Sequence, residues 1–217
     1  MKKLFVAIRQ NDLQLVKELI SNDPDLVRCT AKQPPKKDDG QSPLQVALKT
    51  GRFDMADYLL DMGADPNFME SEDCVNNWRT PALHDAVMAA VMESRWCNLH
   101  PFTHEYEVMS KTEDTDRAYS VLERMIQLGG NVNLPDSIGN NAVWRFCLSA
   151  DQILPKDDND KSYLFSDEVH HDLLRILSLL KSSGADFNYV RRDLNASVMD
   201  WYTKGAVKSL LDEILIS

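Results

Sequence analysis

The sequence predicts an all-helical fold built by stacking short helix–turn–helix units. Two observations point there. A five-residue phrase recurs as GADPN at 63–67, GGNVN at 129–133 and GADFN at 184–188. Each phrase also follows a run in which apolar residues return every three or four positions, the spacing of one helical face.

Residues 42–67 show the unit most clearly. Ser42 can accept a hydrogen bond from an orphan amide at a helix start. Pro43 suits the first helical position, where its missing N–H costs nothing. Leu44, Ala47 and Leu48 then share a face, and Gly51 ends the helix. A second helix carries Phe53, Ala56, Leu59 and Leu60 inward. Gly63 fits the left-handed position just past its end, and Asn67 suits the turn beyond.

Gly40, Ser42, Pro43, Leu44 and Ala47 at the opening, with Leu59, Leu60, Gly63, Ala64 and Asn67 at the close, resemble the ankyrin repeat. That family opens Gly-x-Thr-Pro-Leu-His-x-Ala and closes Leu-Leu-x-x-Gly-Ala-x-x-Asn. Further copies follow from the same anchors. Leu4, Ala7, Val16, Leu19 and Ile20 each stand 40 residues before their counterparts. A third copy opens with Thr80, Pro81, Leu83, His84 and Ala86, with Ala82 as an extra residue. A fourth has Asn141 as cap, Ala142 in the proline slot and Trp144 in the histidine slot, where packing of the indole is expected. A fifth is degenerate, with Ser197 as cap and Val207, Leu210 and Leu211 facing inward. The resemblance implies one solenoid domain over 1–217, with repeats near 1–31, 36–69, 75–135, 136–190 and 191–217.

The phrases are unevenly spaced. Gly63 and Gly129 are 66 residues apart, and Gly129 and Gly184 are 55 apart. Against a repeat of about 33 residues, the third and fourth copies carry insertions between their two helices, near 90–116 and 151–168. The first helix of the third copy is expected to run on through Trp96, with a loop after it. Equivalent points of stacked repeats lie along one edge, so the two insertions should meet there.

The chain has 217 residues and a net charge of −10. Residues 90–116 and 151–168 hold −4 each. An acidic surface repels phosphates, which argues against nucleic acid as partner and for a protein with a basic surface. The aromatic residues Trp96, Phe102, Tyr106, Tyr163 and Phe165 stand among the acids Glu105, Glu107, Asp157, Asp158 and Asp160. Aromatic anchors within a charged rim are a common interface composition. The blander alternative is that these aromatics only pack the insertions down.

By position, the family's concave groove falls on Asp38, Asp39 and Gln41, then Asn76, Asn77 and Arg79, then Ser137, Ile138 and Asn140 at the turns, with Met88 on the helix behind them. No apolar stretch is long enough to span a membrane, and no secretion signal precedes the first repeat, which suggests a cytoplasmic protein with reduced cysteines. Cys97, His100 and His104 have a C-x2-H-x3-H spacing but lack a clear fourth zinc ligand. The acids 157–160 do not complete a calcium loop, because Lys161 and Ser162 fill its ligand and glycine positions. No phosphate loop or nucleophile elbow appears, so no cofactor, metal or catalysis is expected. The sequence therefore predicts a protein-binding module, monomeric when unbound. The first reading is an inhibitor or immunity-type protein that neutralises a basic toxin or nuclease. The alternative is an adaptor, or a secreted effector that binds a host protein.

Overall fold

The computed structural model describes residues 1–33, 35–157 and 159–216. The helices come in sequential pairs: α1 (Lys2–Arg9) with α2 (Leu13–Asn22), α3 (Pro43–Lys49) with α4 (Phe53–Asp61), and α5 (Ala82–Met92) with α6 (Thr112–Gln127). Then come α7 (Ala142–Ala150) with α8 (Asp167–Ser182), and α9 (Val198–Trp201) with α10 (Gly205–Ile216). The first helices of the pairs pack in order, α1 on α3, α3 on α5, α5 on α7 and α7 on α9. A second layer runs α4, α6, α8 and α10. Leu4, Leu44, Leu59, Leu83, Leu122, Trp144 and Leu177 are buried between the layers.

The helix starts have local causes. The Ser42 hydroxyl accepts from the Gln45 amide, and the Gln45 side chain accepts from the Ser42 amide, so two orphan donors are satisfied together. Asn141 caps α7 by accepting from Trp144 N–H, and Ser197 forms a box with Asp200. Thr80 behaves differently. The extra Ala82 moves the start of α5, and Thr80 instead donates its amide to buried Glu70 and its hydroxyl to Asp85.

The recurring phrase couples neighbouring pairs. Gly63, Gly129 and Gly184 all have φ between +79° and +93°, the left-handed region open to glycine. The last Asn of each of the first two phrases reaches the next phrase. Asn67 Nδ2 donates to the Gly129 carbonyl at 2.9 Å, and its Oδ1 accepts from Asn131 N–H at 2.7 Å. Asn133 repeats this with Gly184 at 2.8 Å and Asp186 at 2.8 Å. Asn67→Ala removes both bonds at a half-buried site. The expected loss is about 1–2 kcal/mol, measured as a lower denaturant midpoint at unchanged slope.

The outer helices are tied by ion pairs. Arg124 of α6 reaches Asp57 and Asp61 of α4, Arg117 of α6 pairs with Asp54 of α4, and Arg175 of α8 meets Asp116 of α6 at 2.6 Å.

The expectation of an all-helical chain is amended at one edge. α5 stops at Met92 rather than running to Trp96. Its last carbonyls are taken by side chains: Ser94 Oγ donates to Val91 O, and Trp96 Nε1 to Met92 O. The chain then forms β1 (Cys97–Leu99) and β2 (Tyr106–Val108), and β3 (Tyr163–Leu164) joins from the later segment. The sheet is antiparallel in the order β2–β1–β3. Residues 90–116 and 151–168 therefore meet, through Cys97 opposite Leu164 and Asn98 opposite Tyr163.

Candidate partner-binding surfaces

The sheet edge is pinned at three places. Arg95 forms a forked pair with Asp172 of α8, Nε to Oδ2 at 2.9 Å and Nη2 to Oδ1 at 2.7 Å, and its backbone N–H also donates to Oδ2 at 3.0 Å. The Trp96 and Tyr163 rings meet edge-to-face with centroids 5.9 Å apart, and Tyr106 Oη donates to the Lys161 carbonyl at 3.0 Å. At the far end, Gly205 lies against the later segment. A Cβ there would come 2.4 Å from the Lys156 carbonyl, and its φ of +79° excludes side chains independently.

The aromatic residues divide by role. Trp96, Tyr163 and Phe165 are half-buried, and Phe165 packs on His170 at 5.5 Å. They hold the segments down. Phe102 is 87% exposed at the tip of the β1–β2 connection, and Tyr106 is 38% exposed.

The acids divide as well. Asp116 is paired with Arg175, Asp157 with Lys204 at 3.1 Å and Asp151 with Lys156 at 3.7 Å. The Lys204 contact holds the Asp157 carboxyl below its usual range. Asp160 accepts from the Ser162 and Lys156 amides, which lowers its pKa in the same way. Glu105, Glu107, Glu113, Asp114, Asp167 and Glu168 are exposed and make no ion pair among the described residues. Asp158 lies outside the described residues.

Cys97, His100 and His104 do not converge on a metal. Burial pushes the Cys97 thiol pKa up, and His100 Nδ1 accepts from the Phe102 and Thr103 amides. His104 adopts φ +58° in the tight connection.

The second surface is the concave face. Three residues placed on it by the family pattern lie inside instead. Asp38 is buried against Arg9, Gln41 donates to Glu70 at 3.4 Å, and Asn140 is held between Asp136 and Arg191. Asp38 is engaged by half-buried Arg9, and Gln41 and Asn140 by buried polar neighbours. Asp39 and Asn76 link neighbouring turns, since Asp39 accepts from Val75 N–H and Asn76 donates to Asp39 O. Ser137 accepts from Arg79 N–H and donates to Asn77 O. Ile138 is 41% exposed. Met88 is half-buried, with its sulfur 3.0 Å from Arg145 Nη2.

The pattern missed Trp78. It stands four residues before the start of α5, as Ile138 stands before α7, while Arg79 takes the slot of Gly40 and Gly139. Trp78 is 44% exposed, donates Nε1–H to Asp136 at 2.6 Å, and lies 5.0 Å from the Arg145 guanidinium. Counting from Ala82 as the first residue of α5, which aligns Trp78 with Ile138, was the available signal. Behind it, Asp85 and Arg145 occupy the same slot of adjacent pairs. Asp85 is fully buried and 3.5 Å from Lys49 Nζ, and burial raises its pKa while Lys49 and Arg145 partly oppose this. His84 is also fully buried, and neither ring nitrogen makes a hydrogen bond of good geometry. Burial lowers its pKa to about 4, so the ring packs as a neutral group.

Among the described residues, no helix is long and apolar enough to cross a membrane. Residues 4–94 match the family model for ankyrin repeats in three copies. The ankyrin repeat and SAM domain-containing protein 6 of Mus musculus is 32% identical over 75 residues, which is 35% of this chain and 8% of the mouse protein. The chain thus aligns with only a small part of that relative's length. The family match ends at Ser94, before the sheet edge. Repeats of this kind are protein–protein interaction modules. With the paired helices, the left-handed glycines and the Asn bridges, these matches show ankyrin repeats over residues 4–94 of the chain.

Proposed function

We propose that five ankyrin-type repeats, the third and fourth each carrying an insertion between their helices, present one acidic edge to a protein with a basic surface. The chain binds that partner stoichiometrically as a monomer and blocks it, as an inhibitor or immunity-type protein does with a toxin or nuclease. It binds rather than catalyses. The observation that carries this reading is the pairing of β1 with β3, which unites two segments of net charge −4 each. The solvent-facing carboxylates would steer a cationic partner and speed encounter. Phe102 and Tyr106 would supply the apolar contact on which the dissociation rate depends.

A second reading, an adaptor or effector that uses the groove, is favoured by Trp78 stacked with Arg145, two residue types frequent at binding hot spots.

Affinity capture from the native source with three baits separates the two. The baits are the wild type, the triple variant Glu105→Lys/Glu107→Lys/Asp114→Lys, and Trp78→Ala. The expected result is a Lys/Arg-rich protein held by the wild type and by Trp78→Ala, lost from the triple variant, and released as salt rises well above about 0.1 M, where screening shortens below about 10 Å. Retention by the triple variant with loss from Trp78→Ala would favour the adaptor reading.

A further inference from the structure

The register of the small sheet leaves one set of backbone groups open. In an antiparallel ladder, opposed residues alternate between pairs that exchange hydrogen bonds and pairs that do not. His100 N–H donates to Glu105 O at 2.9 Å, and Met109 N–H to Trp96 O at 2.9 Å. With Asn98 opposite Glu107, the bonded residues of β2 are therefore Glu105, Glu107 and Met109. Tyr106 and Val108 turn their N–H and C=O groups the other way, away from β1. All three residues of β2 are exposed, and Val108 is 61% exposed. Since the sheet order is β2–β1–β3, nothing in the described sheet lies beyond β2.

We infer that the free edge of β2 accepts an added strand from the partner: an extended segment in which lysine or arginine alternates with apolar residues. The inference rests on the acidic-edge reading and adds the mode of recognition. Side chains alternate between faces with period two. Glu105 and Glu107 fall on one face and Tyr106 and Val108 on the other. An added strand therefore meets carboxylates with every second side chain and apolar surface with the ones between. Its backbone satisfies Tyr106 and Val108, as in other cases of strand addition at an open edge.

A second copy of this chain is a poor occupant. Antiparallel self-pairing centred on Tyr106 sets Glu105 against Glu107 of the other copy. Centred on Glu107, it sets that residue against itself. Like charges directly opposed on a sheet are destabilising. The same acids block adventitious edge pairing, a common device on exposed strands, and leave a cationic strand as the complementary one.

The test uses the whole chain and a short synthetic peptide of alternating Lys and Val. Two further peptides carry backbone N-methyl groups on one or the other alternate set of residues, and a fourth has the same composition with its lysines clustered. In the free protein, the Tyr106 and Val108 amides should exchange faster than those of Glu107 and Met109. The alternating peptide should slow exchange at Tyr106 and Val108. One N-methylated peptide should bind about ten-fold or more weakly, from two lost hydrogen bonds, and the other close to the parent. Four equal affinities would overturn strand addition. If Glu105→Lys/Glu107→Lys then still abolished binding, the basic-partner reading would stand without it. If that variant bound all four peptides unchanged, both would fall. A dimer of the free protein with Tyr106 and Val108 already protected would also overturn the inference, in favour of a second copy.

Discussion

Leu59→Asp is expected to unfold the chain well beyond its own helix pair. Leu59 is fully buried on α4, which packs against α3 and α6. The substitution removes a core side chain and places an unpaired carboxylate between stacked helices. Loss of the side chain alone costs about 2–5 kcal/mol, and an uncompensated buried charge adds to it. A domain of this size has about 5–15 kcal/mol in total. In a repeat array each unit is stabilised by its neighbours, so the loss spreads. The four tryptophans, Trp78, Trp96, Trp144 and Trp201, all lie after the second helix pair. Their fluorescence therefore reports on regions remote from Leu59. Helix loss by circular dichroism and the fluorescence change should share one midpoint, lowered by roughly ten degrees or more. Native tryptophan emission beside a partial loss of helix would mean that the pairs fold independently.

Arg95→Ala should have the second-largest effect. Asp172 is 5% exposed, and Arg95 supplies it with two guanidinium bonds and one backbone bond. Removing one partner of a buried pair leaves the other charge uncompensated, which typically costs about 3–5 kcal/mol. The retained backbone N–H places the expected loss near the lower figure. Arg95→Lys keeps the charge without the fork and should recover only part. The effect should also be local in a specific way. Amide exchange at Cys97–Leu99 should accelerate more than exchange in α3, because the pair fixes β1 to α8. Equal acceleration everywhere would mean that Arg95 contributes only to global stability.

The array was legible in the sequence because each anchor has its own physical cause. Ser42, Asn141 and Ser197 cap helices as the sequence reading expects, and Gly63, Gly129 and Gly184 take the left-handed conformation. Trp144 is buried, as its slot suggests. What the recurring Asn does was not legible, because the Asn67 and Asn133 bonds run to residues more than 50 positions away. The sheet was hidden for another reason. Strands of three, three and two residues are too short for a period of two to show. The end of α5 was also unreadable. MAAVMESRW continues a helical pattern, and the chain is turned away by local side-chain bonds from Ser94 and Trp96 together with tertiary bonds from Thr115 to Glu93 O and from Arg95 to Asp172. On the candidate surfaces, residue type alone could not separate Asp116 and Asp157, which are paired internally, from Glu105 and Glu107, which are not. Nor could position in the repeat separate buried Asp38, Gln41 and Asn140 from exposed Ile138.

The proposed binding face is the edge built from 90–116 and 151–168. Hydrogen exchange of the full chain, alone and with the partner recovered by capture, tests it most directly. Protection on binding is expected to concentrate at Cys97–Val108 and around Tyr163–Leu164, with the turns at Asn76–Arg79 and Ser137–Asn140 unchanged. Protection confined to those turns and to the helix face around Met88 and Arg145, with the sheet edge exchanging as in the free protein, would contradict it.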